Sequence, residues 1–232
     1  MKNKVILVTG ANKGIGFEIA RQCGKLGYHV VISGRHEGRL SAAVEKLKKD
    51  NILVESLLMD IGKIEGIRNA CALFAEKHLM LDVLVNNGAI SLRNDNSLLT
   101  NPEGTMEEII GTNSLGQLNV VREFLKFMNS PGRIIMVSSM GGSMTAPVGG
   151  WSPAYCVSKS FLNAITRHLS YELKERNISV NAVNPGWVRT DMGGSSAPLS
   201  VAQGVETPVW LATEASQKLT GKFFSEKKEI PW

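Results

Sequence analysis

Cysteine is scarce in this chain and shows no pattern. Among 232 residues there are only three cysteines, Cys23, Cys71 and Cys156, which stand far apart in the sequence. An odd number at such spacings fits neither a disulfide framework nor a metal-binding cluster, so we expect no metal site. Free thiols are typical of a reducing compartment, and we expect a cytoplasmic protein.

Long apolar runs and clusters of like charge are also missing. No stretch approaches the roughly 20 apolar residues of a membrane-spanning helix, so we expect no membrane insertion. The net charge is +5, but the lysines and arginines are scattered along the chain. Because a nucleic-acid interface gathers its cations on one face, we interpret these as a solvated surface and expect no nucleic-acid partner.

Segments typical of strands and of helices alternate along almost the whole sequence. The predicted strands are Lys4–Thr9, His29–Ser33, Leu53–Met59, Asp82–Asn86, Arg133–Ser138, Ser179–Val183 and Lys222–Ser225. The predicted helices are Ile15–Leu26, Arg39–Lys49, Ile64–Lys77, Met106–Met128, Ala154–Arg176 and Val205–Thr213. Alternation with short links predicts an α/β fold: one domain over residues 1–232, built as a doubly wound parallel sheet with helices on both faces.

The first predicted strand leads directly into a glycine-rich turn, Gly10-Ala11-Asn12-Lys13-Gly14-Ile15-Gly16, and a helix follows. Unpaired N–H groups at a helix N-terminus carry partial positive charge, which suits a pyrophosphate. Strand, glycine turn and helix together predict a Rossmann-like dinucleotide site.

The residue after the second strand bears on which dinucleotide binds. An enzyme that prefers NAD usually has an acid here for the ribose hydroxyls, whereas this chain has Arg35. Arg35 and Lys13 together would favour a 2′-phosphate, so we expect NADP(H). The alternative is that both are ordinary surface cations.

Polar residues follow the third and fourth predicted strands. Asp60 could accept a hydrogen bond from the adenine amino group, with Ile61 against the ring, but a lone aspartate after a strand is also a common helix N-cap. Asn86 begins an Asn-Asn-Gly-Ala turn and could face the cofactor ribose, tie adjacent strands or only form the turn.

Two further groups suggest proton chemistry. Tyr155 and Lys159 are four residues apart, which places them on one face of a predicted helix. An ammonium beside a phenol favours the phenolate and lowers its pKa from about 10. The pair could equally be neighbours on a helix surface. Ser138 and Ser139 end the fifth strand, where a hydroxyl would face the ligand crevice.

The segment after the sixth strand begins with a turn at Pro185 and Gly186. Thr190 could then bond a nicotinamide carboxamide. We interpret the small, polar residues that follow as a short lid loop over about residues 190–203, or else as a plain surface loop.

Taken together, these motifs resemble the short-chain dehydrogenase/reductase family. The turn Thr9-Gly10-x-x-x-Gly14-x-Gly16, Ser139, the Tyr155-x-x-x-Lys159 pair and Pro185-Gly186 occur in that family's order, and the likeness covers essentially the whole chain. Residues 12–16, 185–194 and 221–227 are most similar to its carbonyl reductase and sniffer-like group.

The resemblance implies roles for individual residues. Tyr155 would protonate the carbonyl oxygen, Lys159 would depress the tyrosine pKa and hold the nicotinamide ribose, and Ser139 would hydrogen-bond the substrate carbonyl. Asn113 matches the asparagine that holds a water in the proton relay. Further matches to cofactor contacts are Asp60, Ile61, Asn86, Val188 and Thr190. The implied reaction is reduction of ketones, aldehydes or quinones to alcohols by hydride from NADPH.

The sequence departs from the family in two places. The family usually has Asn-Asn-Ala-Gly after the fourth strand, where this chain has Asn-Asn-Gly-Ala. Some monomeric carbonyl reductases carry a long insertion before the tyrosine, and the segment from Ser139 to Tyr155 is short here. Family members of this kind usually pair through the helices predicted at Met106–Met128 and Ala154–Arg176, which implies a homodimer or homotetramer.

Other functions use the same motifs. An NADP(H)-binding sensor with little turnover would need the glycine turn but not the full set of Asn113, Ser139, Tyr155 and Lys159. A lyase or epimerase built on the same fold would form product without net consumption of NADPH. Trp151, Trp187 and Met192 are expected near the crevice as an apolar wall, or else in the core or a dimer contact. Cys156 is expected only to pack.

Overall fold

A computed structural model describes residues 3–232 and contains one eight-stranded sheet. Its strands are β1 (Val5–Val8), β2 (His29–Gly34), β3 (Val54–Leu58), β4 (Leu81–Asn86), β5 (Met128–Val137), β6 (Ile178–Val183), β7 (Phe223–Ser225) and β8 (Lys228–Ile230). Its α-helices are α1 (Gly14–Lys25), α2 (Glu37–Lys49), α3 (Ile64–Ala75), α4 (Thr105–Ile110), α5 (Gln117–Phe124), α6 (Pro153–Glu172), α7 (Val201–Gly204) and α8 (Glu206–Thr213).

The strand order is β3-β2-β1-β4-β5-β6-β7-β8. Strands β1 to β7 run parallel, with Leu7 paired to Val31 of β2 on one side and to Leu84 of β4 on the other. Because the order reverses between β1 and β4, the carboxyl ends of these two strands border the crevice in which such sheets bind ligands.

Apolar side chains of the central strands alternate between two cores. Ile6 and Val8 face a core shared with α1, α2 and α8, whereas Val5 and Leu7 face one shared with α3, α5 and α6. Both faces of the sheet are therefore covered by helices. This confirms the predicted doubly wound α/β fold.

The sequence analysis missed two elements. The final strand, β8, was not predicted, and it runs antiparallel to β7. Glu226 and Lys227, both at positive φ, form the two-residue turn of this hairpin. Helix α7 was also missed, because it has only four residues and depends on a capping box between Ser200 and Gln203.

The single helix predicted over Met106–Met128 is interrupted. Residues Gly111–Gly116 form a π-helical turn between α4 and α5, a 3₁₀ turn follows, and Met128 already belongs to β5. A Cβ atom at Gly116 would collide with the backbone of Ile61. The interruption therefore lies where the backbone approaches the segment after β3, a contact that helical periodicity does not reveal.

Among residues 3–232, no helix combines the length and the apolar character that crossing a bilayer requires.

Candidate active site

A crevice of about 1080 Å³ opens at the carboxyl ends of the parallel strands. Ligand sites usually measure about 300–1,000 Å³, so this one has room for a dinucleotide and a small substrate together. Most of the predicted cofactor residues line it: Gly10, Asn12, Lys13, Gly14, Ile15, Gly16, Arg35, Asp60, Ile61, Tyr155, Lys159, Pro185 and Thr190.

The glycine turn is shaped by close contacts on one side and open space on the other. Gly10 has φ +63°, and a Cβ atom there would lie 2.7 Å from the Cα of Gly88. Gly14 has φ +60°, but its nearest neighbour would be the methyl group of Thr190 at 3.4 Å. Gly10 is thus required by packing. Gly14 leaves the backbone N–H groups of the turn accessible from the crevice.

Basic side chains gather at the end of the crevice beside β2. Arg35 is exposed there, and Arg39 and His36 line the same region. Arg39 was not predicted, because a basic residue in the first turn of a helix has no distinctive sequence signal. Lys13 also lines the crevice, but its ammonium pairs with Asp191 in the segment after β6. The Lys13 ammonium lowers the pKa of the Asp191 carboxyl.

Asp60 is not the helix N-cap that the sequence allowed, because the N-cap position of α3 is Lys63. The Asp60 Oδ1 accepts a hydrogen bond from the Gly62 N–H at 3.1 Å, as a turn-capping aspartate does. The residue also lines the crevice beside Ile61.

Three predicted cofactor residues do not line this crevice. Asn86 is fully buried, and its amide donates to the Gln117 carbonyl at 3.0 Å, so it ties β4 to α5. Val188 is buried against Gly204, and Gly186 borders a separate cavity of about 380 Å³. For these residues the sequence located the turn but not which side of it faces the crevice.

Asn87, next to Asn86, makes the tie between strand ends. Its Nδ2 donates to the Thr9 carbonyl at 2.9 Å, and its backbone N–H donates to Thr9 Oγ1 at 2.9 Å. Asn87 therefore holds the turn after β4 against the turn after β1 at the centre of the crevice.

Tyr155 and Lys159 line the inner wall of the crevice. Ser139 lies near enough to the Tyr155 hydroxyl to influence its pKa, and it caps the turn that follows β5. The Lys159 side chain is 1% exposed; its Nζ donates to the Val137 carbonyl at 2.8 Å and lies 5.5 Å from the Tyr155 ring centroid. Ser138 instead bonds to Asn163. Ser138 lines the crevice and Ser139 does not, so the choice of Ser139 as the substrate-binding serine stays a prediction.

Burial governs the protonation of this pair. It raises the pKa of Tyr155 to about 12, although the nearby Ser139 acts in the lowering direction. It also lowers the pKa of Lys159 to about 7. Lys159 is not among the groups that shift the Tyr155 pKa here, so a depression of that pKa by Lys159 stays a prediction.

Asn113 does not line the crevice. Its Oδ1 accepts from the Ile90 N–H at 2.8 Å, and its Nδ2 donates to the Ile90 carbonyl at 2.9 Å and to Ser158 Oγ at 3.1 Å. The side-chain amide is thus occupied by protein groups. It connects the π-helical turn to α6, close to Lys159.

Trp151, which was expected near the crevice, lines it. Trp151 is half exposed, and its ring lies 6.0 Å from that of Tyr155. Met192 also lines the crevice, as expected, whereas Trp187 does not and donates to the Gly193 carbonyl. Asp95 was not predicted at all, because its partners are about 60 residues further along the chain.

Comparisons with known proteins agree with this geometry. The model of the short chain dehydrogenase family matches residues 4–198. Carbonyl reductase (NADPH) 1 of Sus scrofa is 34% identical over 274 residues, covering 99% of this chain and 94% of the relative. The protein of the same name from Mus musculus is 34% identical, with 98% of each chain covered. The alignments are longer than this chain, so these relatives contain segments that it lacks.

Solved structures are similar over the full length. An NADPH-bound carbonyl reductase from chicken fatty liver has a TM-score of 0.89 at 28% identity, and the carbonyl reductase Sniffer of D. melanogaster has 0.86 at 26% identity. Each comparison covers all of both chains. With the family match, the shared fold and the crevice all in agreement, the chain belongs to the short-chain dehydrogenase family.

Proposed function

We propose that this protein is an NADPH-dependent carbonyl reductase, which converts ketones, aldehydes or quinones to alcohols. The observation that carries the proposal is that Tyr155 lies beside Ser139 and the buried Lys159 on the wall of the crevice. The relatives named as carbonyl reductases, and the NADPH bound in one of their structures, support the same function.

The residues present fit NADPH. The open side of Gly14 leaves backbone N–H groups for the pyrophosphate, and Arg35 and Arg39 offer charge for a 2′-phosphate where an NAD enzyme has an acid. Asp60 and Ile61 would hold the adenine, and Thr190 and Lys159 the nicotinamide end. When bound, NADPH supplies the hydride that reduces the carbonyl carbon.

The protein supplies orientation and a proton. Ser139 would bind the substrate carbonyl oxygen, and Tyr155 would donate its proton to that oxygen as it gains charge. A phenol whose pKa is raised to about 12 holds its proton at neutral pH, which suits an acid in the direction of reduction. Lys159, with a pKa lowered to about 7, can give or take a proton at Nζ in the same range.

Loss of the Tyr155 hydroxyl tests this function. NADPH oxidation by the wild type and by Tyr155→Phe should be followed with quinones, isatin, aldehydes and aliphatic ketones. Removing a general acid costs about 10²–10⁴-fold in rate, so we expect turnover to fall by at least a hundredfold. NADPH affinity, measured by cofactor fluorescence, should change little. A variant that retains wild-type turnover, or a wild type that binds NADPH but reduces no compound in the panel, would contradict the proposal.

We further propose one catalytic domain over residues 1–232, with a lid at about 190–203, and a homodimer or homotetramer in the cytoplasm. Exposed apolar side chains on the outer surface of the predicted pairing helices support self-association: Leu115, Val157, Phe161 and Tyr171. Three unpaired cysteines support a reducing compartment.

A further inference from the structure

The first turn of α6, which carries Tyr155, has an unusual set of hydrogen-bond partners. Pro153 at its start has no N–H, and the Cys156 N–H makes the first intrahelical bond, to the Ser152 carbonyl at 3.0 Å. Only the N–H groups of Ala154 and Tyr155 need partners from outside the helix.

Both partners come from one carboxylate far away in the sequence. Asp95 Oδ1 accepts from the Ala154 N–H at 3.0 Å, and Asp95 Oδ2 accepts from the Tyr155 N–H at 2.9 Å. Asn101 Nδ2 donates to the same Oδ1 at 2.8 Å and fixes the carboxylate plane. Asp95 is 2% exposed and forms no ion pair within residues 3–232, so these donors and the helix N-terminus compensate its charge.

The helix has no local cap to replace Asp95. Ser152 occupies the N-cap position, but its side chain makes no capping bond and its φ is +39°. This left-handed conformation is uncommon for a residue with a side chain, and it turns the chain into α6 without satisfying the helix. The orientation of the first turn therefore depends on the remote carboxylate.

The segment that carries Asp95 also forms a wall of the crevice. Ser91, Leu92, Arg93 and Asn96 line it on either side of Asp95, and the Asp95 N–H bonds to the Leu92 carbonyl at 3.1 Å. We propose that Asp95 is a positioning residue, which holds the Tyr155 phenol at the reacting carbonyl by tying the first turn of α6 to this wall. The proposal rests on the proposed carbonyl reductase function.

The test is Asp95→Asn, with Asp82→Asn as the matched control. Asparagine keeps the size but offers one acceptor oxygen, so its amide group would face a backbone donor. The Asp82 carboxylate likewise accepts one bond from a backbone N–H, that of Val5 at 2.7 Å, and one from an asparagine, Asn129 Nδ2 at 3.0 Å. It lies at the opposite end of the sheet. A displacement of about 1 Å at a reacting group can cost about a hundredfold in rate. We expect kcat to fall about 10- to 100-fold in Asp95→Asn, with the NADPH dissociation constant nearly unchanged.

Amide hydrogen exchange gives a readout independent of activity. In Asp95→Asn the N–H groups of Ala154 and Tyr155 should exchange at least about tenfold faster, whereas those in the last turns of α6 should not change. Asn101→Ala should change the exchange rates and kcat in the same direction as Asp95→Asn, but by a smaller factor. It replaces Asp95→Asn as the test variant if Asp95→Asn does not fold. Asp82→Asn should leave both measurements at wild-type values.

The proposal would be overturned if the kcat of Asp95→Asn stayed within about threefold of the wild-type value. It would also be overturned if Asp82→Asn lost as much kcat as Asp95→Asn. A wild type that reduces no carbonyl compound would refute the proposed function instead. In that case amide exchange still tests the contact: unchanged exchange rates at Ala154 and Tyr155 in Asp95→Asn would show that Asp95 does not hold the first turn of α6.

Discussion

Lys159 is the residue whose chemistry burial changes most. Its pKa is about 7 in the folded protein, against an ordinary value of 10.5. Between these two pH values the unfolded chain binds a proton that the folded protein does not. The free energy of unfolding should therefore rise with pH between about pH 7 and 10.5. The stability that Lys159 contributes by being neutral is complete above pH 10.5 and is lost as the pH falls to about 7.

Replacing Lys159 with methionine should remove this dependence. Relative to Lys159→Met, the wild type should gain about 1.4 kcal/mol of stability per pH unit between about pH 7.5 and 9. Urea unfolding of both proteins without cofactor measures the difference, and the titration of all other groups cancels in it. Parallel pH profiles for the two proteins would show that the lysine is charged in the folded state.

The ion pair between Lys13 and Asp191 should act on cofactor preference. Asp191 competes with a 2′-phosphate for the Lys13 ammonium, so Asp191→Asn should tighten NADPH binding by about threefold and leave NADH binding unchanged. Fluorescence titration with each cofactor measures this, and added salt should reduce the effect. Asp50→Asn, which removes the exposed partner of Arg21, is the control. Equal tightening for both cofactors would count against the competition.

Single residues were predictable where a backbone or chemical constraint is local. Gly10, Gly14, Tyr155 and Lys159 stand at fixed spacings within one turn or helix. Asp95 was not predictable, because its hydrogen-bond partners meet it only in the folded chain.

Within the glycine turn, Gly10 and Gly14 should respond differently to alanine. Both have positive φ, so each substitution should cost about 1–2 kcal/mol of stability. The methyl group at Gly10 would also meet the Gly88 backbone, which adds about 1–3 kcal/mol of overpacking. Gly14→Ala should mainly weaken NADPH binding.

Urea unfolding and NADPH titration of the two alanine variants separate these effects. Equal losses of stability in both variants would mean that the contact between Gly10 and Gly88 relaxes at no cost.

Element boundaries show where periodicity fails as a guide. The predicted helix over Met106–Met128 has continuous apolar periodicity, yet the backbone changes to a π-helical turn at Gly111–Gly116. That turn carries Asn113, whose amide holds Ile90 and Ser158. Tertiary hydrogen bonds decide the local conformation here, and they leave no periodic signal in the sequence.

At the scale of the whole molecule, the exposed apolar residues of α6 predict self-association. Tyr171 is 82% exposed and Phe161 is 41% exposed. We expect light scattering to give a dimer or tetramer, and the double variant Phe161→Glu with Tyr171→Glu to be a monomer, because buried charge opposes assembly. Leu26→Glu, an exposed apolar residue at the end of α1, is the control. A monomeric wild type would refute the prediction.

The overall architecture was predictable because alternating strand and helix patterns leave few alternatives. The order of the strands and the final hairpin were not predictable from the sequence, because they depend on which strands become neighbours in the folded sheet. The Glu226–Lys227 turn shows this, because two charged residues at positive φ do not resemble a common hairpin turn.

The central place of β1 also bears on how the chain folds during synthesis. Ile6 pairs with Val30 on one side and with Val83 on the other. One edge of β1 can therefore be paired early, whereas the other must wait until β4 has left the ribosome. Until then a strand of valine, isoleucine and leucine has an open edge, which is when nascent chains are most prone to aggregate and to need chaperones.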